Sequence, residues 1–235
     1  MHIDITYDVR TDSNGKDPDN SSLTLRKYHK ILWSKYLPNG QLFELNDNKS
    51  GVYLYHKSEL GEYQLSSDSI IHTYFKWKRT QHIISKIPEE EMKYFYNLAY
   101  TIAGFMIFPG NKINNLPTIN QERGMNGKIN DRIDLTLECI RRFYINEESP
   151  MTNTINRYKD YFYLFSNFKG YCEYFLLHDL VSTDYLKVIF FLPFDNFNSF
   201  PLPNNLDEYS RYRIGNIDFL NKRNRRIFDY SNNII

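Results

Sequence analysis

The side chains best able to do chemistry fall in three separate stretches of the 235-residue chain. The first, DVRTDSNGKDPDNSSLTLRKYHK, spreads Arg10, Asp12, Lys16, Asp17 and Asp19 along a loop and sets Arg26 and His29 on the segment after it. Cations around such a loop suit phosphate oxygens, which a guanidinium meets as a paired donor and a helix N-terminus meets with free backbone N–H groups. The second, LSSDSIIH, offers Ser67 and Asp68 with His72 one turn later. The third, INQERGMNGKINDRIDLTLECIRRFY, holds Glu122, Arg123, Arg132, Asp134 and Glu138. These stretches nominate Asp134, Glu138 and Glu122 as acid–base groups. They nominate Arg10, Asp12, Lys16, Arg26, His29, Ser67, Asp68, Arg123 and Arg132 as ligand-binding groups.

Each stretch also has a plainer reading. The first could be a solvated loop whose acids and bases pair with each other. Ser67 or Asp68 could cap a helix, since a short oxygen-bearing side chain before a helical run accepts from an orphan backbone N–H. Asp134, Glu138 and Arg141 or Arg142 share a helix face, as an ion-pair ladder would. No GxGxxG, Walker A, HExxH or GxSxG pattern is present, and no Cys/His spacing suits a metal. The sequence thus implies no metal site and names no cofactor.

The elements that must position these groups can be read from pattern. Residues 2–9 alternate as a strand would, with Ile3, Ile5 and Tyr7 on one face. Ser22 is placed to cap a helix through LTLRKYHKILWSK, stopped by Pro38 and Gly40. Short strands are expected at QLFEL, GVYLYH and EYQLS, the first two joined by a turn at Asn46–Gly51. Helices are expected over SDSIIHTYFKWKRTQHIISK and PEEEMKYFYNLAYTI, and a buried strand at GFMIF. After an irregular stretch, Ile133, Leu137, Ile140 and Tyr144 mark a helix. Aromatic-rich helices broken at Gly170, a buried strand at VIFFLPF and a closing helix from Asp207 to Tyr230 complete the reading. The closing run KRNRR reads as a solvated helix end. Helices outnumber strands in an irregular order, which predicts a mostly helical α+β fold with a small mixed or antiparallel sheet. No linker divides residues 1–235, so a single domain is expected.

Composition limits the partners. Lys and Arg total 29 against 28 Asp and Glu, a net charge of +1, which gives no global field toward nucleic acid or an anionic membrane. The longest apolar runs are too short to span a bilayer, and the N-terminus lacks a signal peptide's basic and apolar regions. The two cysteines, Cys139 and Cys172, form no framework, which places the chain in a reducing cytoplasm. The expected activity is that of an enzyme on a phosphate-bearing ligand: a nucleotide, NAD or nucleic acid. Alternatives are a non-catalytic interaction component of a defence or toxin system and a nucleic-acid binder. Oligomeric state is not legible.

VRTDSNGKDPD, SLTLRKYHKILWSKYLPNG, LSSDSI, INQERG, DRIDLTLECIRRFY, GYCEYFLLHDLV and FFLPFDNF together resemble an uncharacterised bacterial family, a domain of unknown function. The resemblance covers almost the whole chain, implies one full-length domain and a source in bacteria or their mobile elements, and carries no catalytic residue. A looser likeness is to the Arg–Ser–Glu order of one class of ADP-ribosyltransferases, with Arg10, Ser67 and Glu122 at matching positions. That class's Ser-Thr-Ser and paired Glu are not both here.

Overall fold

Asp12 and Ser22 fix where the first long helix begins. In the computed structural model, which describes residues 2–47 and 54–233, Ser22 Oγ accepts from Leu25 N at 3.0 Å. The Asp12 carboxylate accepts from Thr24 N at 2.9 Å and from Ser22 Oγ at 2.5 Å. Both groups satisfy backbone N–H donors that a helix start leaves orphaned. A single-turn helix α1 (Pro18–Ser21) leads into α2 (Leu23–Trp33). β1 (Lys35–Tyr36) and β2 (Leu42–Phe43) pair antiparallel around a turn holding Gly40 at φ 82°, a left-handed conformation that favours glycine. β3 (Asn46–Asp47), β4 (Leu54–Ser58), β5 (Gly61–Ser69) and β6 (Phe105–Pro109) form an antiparallel sheet in that order. The expected turn at Asn46–Gly51 and the start of GVYLYH lie partly outside the described residues.

The remaining described elements are helical: α3 (Lys78–Ile84), α4 (Glu89–Ala99), α5 (Ile119–Met125), α6 (Ile133–Tyr144), α7 (Thr152–Arg157), α8 (Lys159–Tyr163), α9 (Phe168–Tyr174) and α10 (Leu206–Asn232). The fold is mostly helical α+β. No described helix is long and apolar enough to cross a membrane. Ile133, Leu137 and Ile140 are buried as their spacing predicts. Glu89, Glu90 and Glu91 occupy the first turn of α4, where the helix dipole favours negative charge.

Several expected elements differ. Residues 2–9 are turns, not a strand: Asp4 Oδ1 accepts from Thr6 N at 2.9 Å and Asp8 Oδ1 from Arg10 N at 3.0 Å. Such local side-chain bonds compete directly with a strand ladder. The helix expected from Ser67 does not begin there. Ser66, Ser67, Asp68 and Ser69 belong to β5 and pair with Phe108, Ile107, Met106 and Phe105 of β6. Only Lys78–Ile84 of that segment is helical. VIFFLPF is not a strand, and its one bridge joins Val188 to Val181. The irregular stretch before Asn130 contains α5.

Gly170 lies inside α9 rather than breaking a helix. A Cβ there would sit 2.1 Å from the Phe165 carbonyl oxygen and 3.1 Å from Pro38 Cγ. Gly170→Ala is therefore expected to destabilise by about 1–3 kcal/mol, the cost of overpacking, measured by urea denaturation. An unchanged midpoint would show that the backbone gives way freely.

The basic run on α10 is divided by helical geometry. Arg223 is fully buried and donates to the carbonyls of Ala103 at 2.6 Å, Phe105 at 3.0 Å and Phe175 at 3.1 Å. Burial lowers its guanidinium to about 9. Arg226 instead pairs with Asp179 at 2.7 Å, and Lys222 with Asp218 at 2.7 Å. The solvated-end reading thus fails for Arg223, which carries helix α10 into the core.

Candidate functional site

Helical spacing on α2 sets up the first part of the site. His29 and Trp33 are four residues apart, so their side chains meet on one face. The Trp33 indole can only donate, and its Nε1–H reaches His29 Nδ1 at 3.0 Å. The imidazole proton is therefore on Nε2, which donates to Ser67 Oγ at 3.0 Å. Ser67 Oγ in turn donates to Asp19 Oδ1 at 2.7 Å. The chain of donors runs Trp33 to His29 to Ser67 to Asp19.

That direction decides what the group can do. A Ser–His–Asp hydrolase needs an imidazole nitrogen that accepts the serine proton. Here the facing nitrogen already carries a proton, and burial, with Arg223 and Arg26 adding repulsion, drives His29 down to about 3. His29 cannot be the base. The acceptor of the Ser67 proton is Asp19, whose carboxyl burial pushes up to about 6; Ser67 opposes the rise and the Asp17 charge adds to it.

β5 alternates its side chains, so Ser66 and Asp68 face away from Ser67 and toward α5. The Arg123 guanidinium on α5 is completely buried and ion-pairs with Asp68. It also donates to Thr136 Oγ1 at 3.2 Å and to the Asp131 carbonyl at 3.2 Å. Burial pushes the Asp68 carboxyl up to about 8, Arg123 opposing and Asp19 and Asp131 reinforcing the rise. Asn120 bridges from α5 to Ser66 Oγ at 3.0 Å, and its own Oδ1 is buried with no partner. Around these groups is a cleft of about 540 Å³, lined by Asp17, Asp19, Gln64, Ser67, Asp68, Asn120 and Gln121 among others.

All three polar stretches of the sequence supply this cleft, but not through every nominated residue. His29, Ser67, Asp68 and Arg123 come together. Asp12 caps α2 behind them. Arg26 faces Asp47 at 3.6 Å, and Lys16 is exposed on its loop. Arg10 is elsewhere: it pairs with Asp8 at 2.5 Å, donates to Asn97 at 2.8 Å and stacks on Tyr96 and Tyr100. Glu122 holds Asn126 Nδ2 at 2.8 Å and does not line the cleft. The Arg10–Ser67–Glu122 arrangement is therefore not formed.

The expected ion-pair ladder on α6 forms for Glu138 but not for Asp134. Asp134 is buried against Arg132 and accepts from Phe191 N at 3.0 Å, while Arg132 also holds the Pro201 carbonyl at 2.8 Å. These bonds pin the segment after residue 188. Glu138 is clamped by Arg141 and Arg142, each at 2.8 Å, on the wall of a different cavity. The enzyme expected from the sequence would gather Arg10, Asp12, Arg123, Asp134 and Glu138 in one pocket, and the described residues hold them apart.

With the geometry in place, one comparison is decisive for kinship: a family of unknown function matches residues 3–227. The chain belongs to that family, DUF6994. No curated protein and no solved structure matches it. The DUF6994 match spans every residue of the cleft.

The nominations left out Asp19, Asp17, Asn120 and Gln64. Asp19 had a usable signal: it falls in the first turn after Pro18, beside a strand–helix corner. The His29–Trp33 spacing was also legible as a tautomer-fixing pair. The roles of Asn120 and Gln64 depend on contacts between distant segments, which no local pattern carries. Among the described residues no cluster of three or more His, Cys, Asp or Glu is placed to hold a metal ion.

Proposed function

We propose that this chain is a bacterial cytoplasmic enzyme that performs acid–base chemistry on a small neutral or cationic polar ligand in the Ser67 cleft. The observation that carries the reading is that Asp19 and Asp68 line a single cleft from opposite faces of β5, Asp19 accepting from Ser67 Oγ at 2.7 Å. Their carboxyls are displaced to about 6 and about 8. Near neutral pH Asp19 is mainly a base, while Asp68, raised by burial yet ion-paired with Arg123, forms the anionic wall facing it. Ser67, held between His29 and Asp19, orients the ligand. The two buried, unpaired cysteines support a reducing compartment.

The ligand's charge follows from the lining. Carboxyls and amides dominate it, with Lys112 the one cation among its described residues. Arg123 and Arg132 are spent on Asp68 and Asp134. The phosphate expected from the sequence would meet repulsion here, not a guanidinium.

Asp19→Asn tests the assignment. A carboxyl raised from 3.8 to about 6 by folding gives stability that is complete below pH 3.8 and lost as pH rises through about 6. Removing the charge is expected to stabilise the fold at pH 7.5 by up to about 3 kcal/mol, at about 1.4 kcal/mol per unit, and by little at pH 4. Carboxyl-carbon NMR of the wild type should show one aspartate titrating near pH 6, lost in Asp19→Asn. If every aspartate titrates below about 4.5, the ordinary range, the acid–base reading is wrong.

A further inference from the structure

A cavity of about 860 Å³ lies away from the Ser67 cleft. That volume falls within the range of small-molecule sites, roughly 300–1,000 Å³. Two helix faces make its walls. On α4 and just beyond it, Tyr94, Asn97, Leu98 and Thr101 follow one another at helical spacing. On α10, Asn221, Asn224, Arg225 and Phe228 do the same. Residues three, four and seven apart share a helix face, so each set presents one surface. Ile5 and Thr6 of the N-terminal turns close one end.

The two walls carry complementary chemistry. Tyr94 is 52% exposed and Phe228 38% exposed, giving an aromatic surface on each wall. Asn224 is 6% exposed; its amide nitrogen donates to Thr101 Oγ1 at 3.0 Å, while its Oδ1 has no partner. Asn97 gives its Oδ1 to Arg10 at 2.8 Å, which leaves its own N–H donors uncommitted. Asn221 touches the Tyr94 hydroxyl at 3.4 Å across the gap between the helices. The nearby negative charge, Asp8, is already neutralised by Arg10. Arg225 has no ion-pair or hydrogen-bond partner among the described residues, so the uncompensated charge at the cavity is positive.

We propose that this cavity is a binding site for a nucleoside monophosphate. Stacking on Tyr94 or Phe228 takes the flat base, as aromatic side chains do for any base. The amides of Asn97 and Asn224 provide the donor and acceptor that a base edge needs. Arg225 meets the phosphate as a charge-assisted donor. The proposal does not depend on the Ser67 cleft, whose lining is acidic and shares none of these residues.

Calorimetric titration of the full chain with AMP, GMP, CMP and UMP tests it, with the matching nucleosides, inorganic phosphate and a single-stranded hexanucleotide alongside. At least one monophosphate is expected to bind, and its nucleoside and inorganic phosphate each to bind about 10-fold or more weakly, a difference of about 1.4 kcal/mol. Arg225→Glu and Phe228→Ala alter exposed positions and leave the fold intact by circular dichroism. Each is expected to weaken the monophosphate about 10-fold or more. Absence of binding at millimolar nucleotide would overturn the site, as would equal affinity in both variants. Tighter binding of the hexanucleotide than of any monophosphate would overturn the choice of a free nucleotide.

Discussion

Arg123→Met is expected to destabilise the protein by about 3–5 kcal/mol, the loss seen when one member of a buried ion pair is removed. The guanidinium is wholly buried against Asp68, and it also holds Thr136 and the Asp131 carbonyl. Methionine keeps much of the side chain's bulk but none of its donors. Asp68 would be left facing Asp19 and Asp131 without a cation. Asp68→Asn should also cost several kcal/mol, because the guanidinium would then be the uncompensated charge. The double variant is expected to recover part of the summed loss, since neither member is left charged and alone. Urea denaturation of the four proteins gives the coupling. Additive losses would show that the pair does not act as a unit.

Acid is expected to weaken the fold through His29. Folding lowers its imidazole from 6.5 to about 3. A base whose folded pKa is depressed gives stability that is complete above pH 6.5 and lost as pH falls toward 3. Over that window the loss approaches about 5 kcal/mol, at about 1.4 kcal/mol per unit. The Asp19 contribution runs the other way below pH 6, so wild-type stability alone does not isolate the histidine. The difference between wild type and His29→Gln does. Glutamine can accept from Trp33 and donate to Ser67 but cannot titrate. The variant's stability should fall less steeply between pH 6.5 and 3; parallel curves would show that His29 is not held neutral.

Much of the helical framework was legible because its signals are local. The stripe Ile133, Leu137, Ile140 and the glutamates of α4 needed only residues within one element. The C-terminal end of β5 beyond the expected strand EYQLS was misjudged for the opposite reason. Ser-Ser-Asp-Ser looks like a helix start until it is known that Phe105–Phe108 arrives about 40 residues later to pair with it. At the site, Ser67, Asp68, His29 and Arg123 were found by residue type, and Asp19 was missed. Arg10, Asp134 and Glu138 were misplaced although their partners were close in sequence: Asp8, Arg132, and the pair Arg141 and Arg142. Opposite charges two to four residues apart most often satisfy each other, and that local solution won.

The carbonyl cage around Arg223 bears on how the molecule opens. Its acceptors, Ala103, Phe105 and Phe175, come from segments 48–120 residues away in sequence. None of them can be capped by this guanidinium until the middle of α10 has docked. Loosening that helix strands a charge in the core and uncaps three carbonyls at once, so its centre has no low-energy partial exit. The middle of α10 is thus tied to the last cooperative unit to release, and the two helix faces around the 860 Å³ cavity rest on a wall that opens only when the whole fold does.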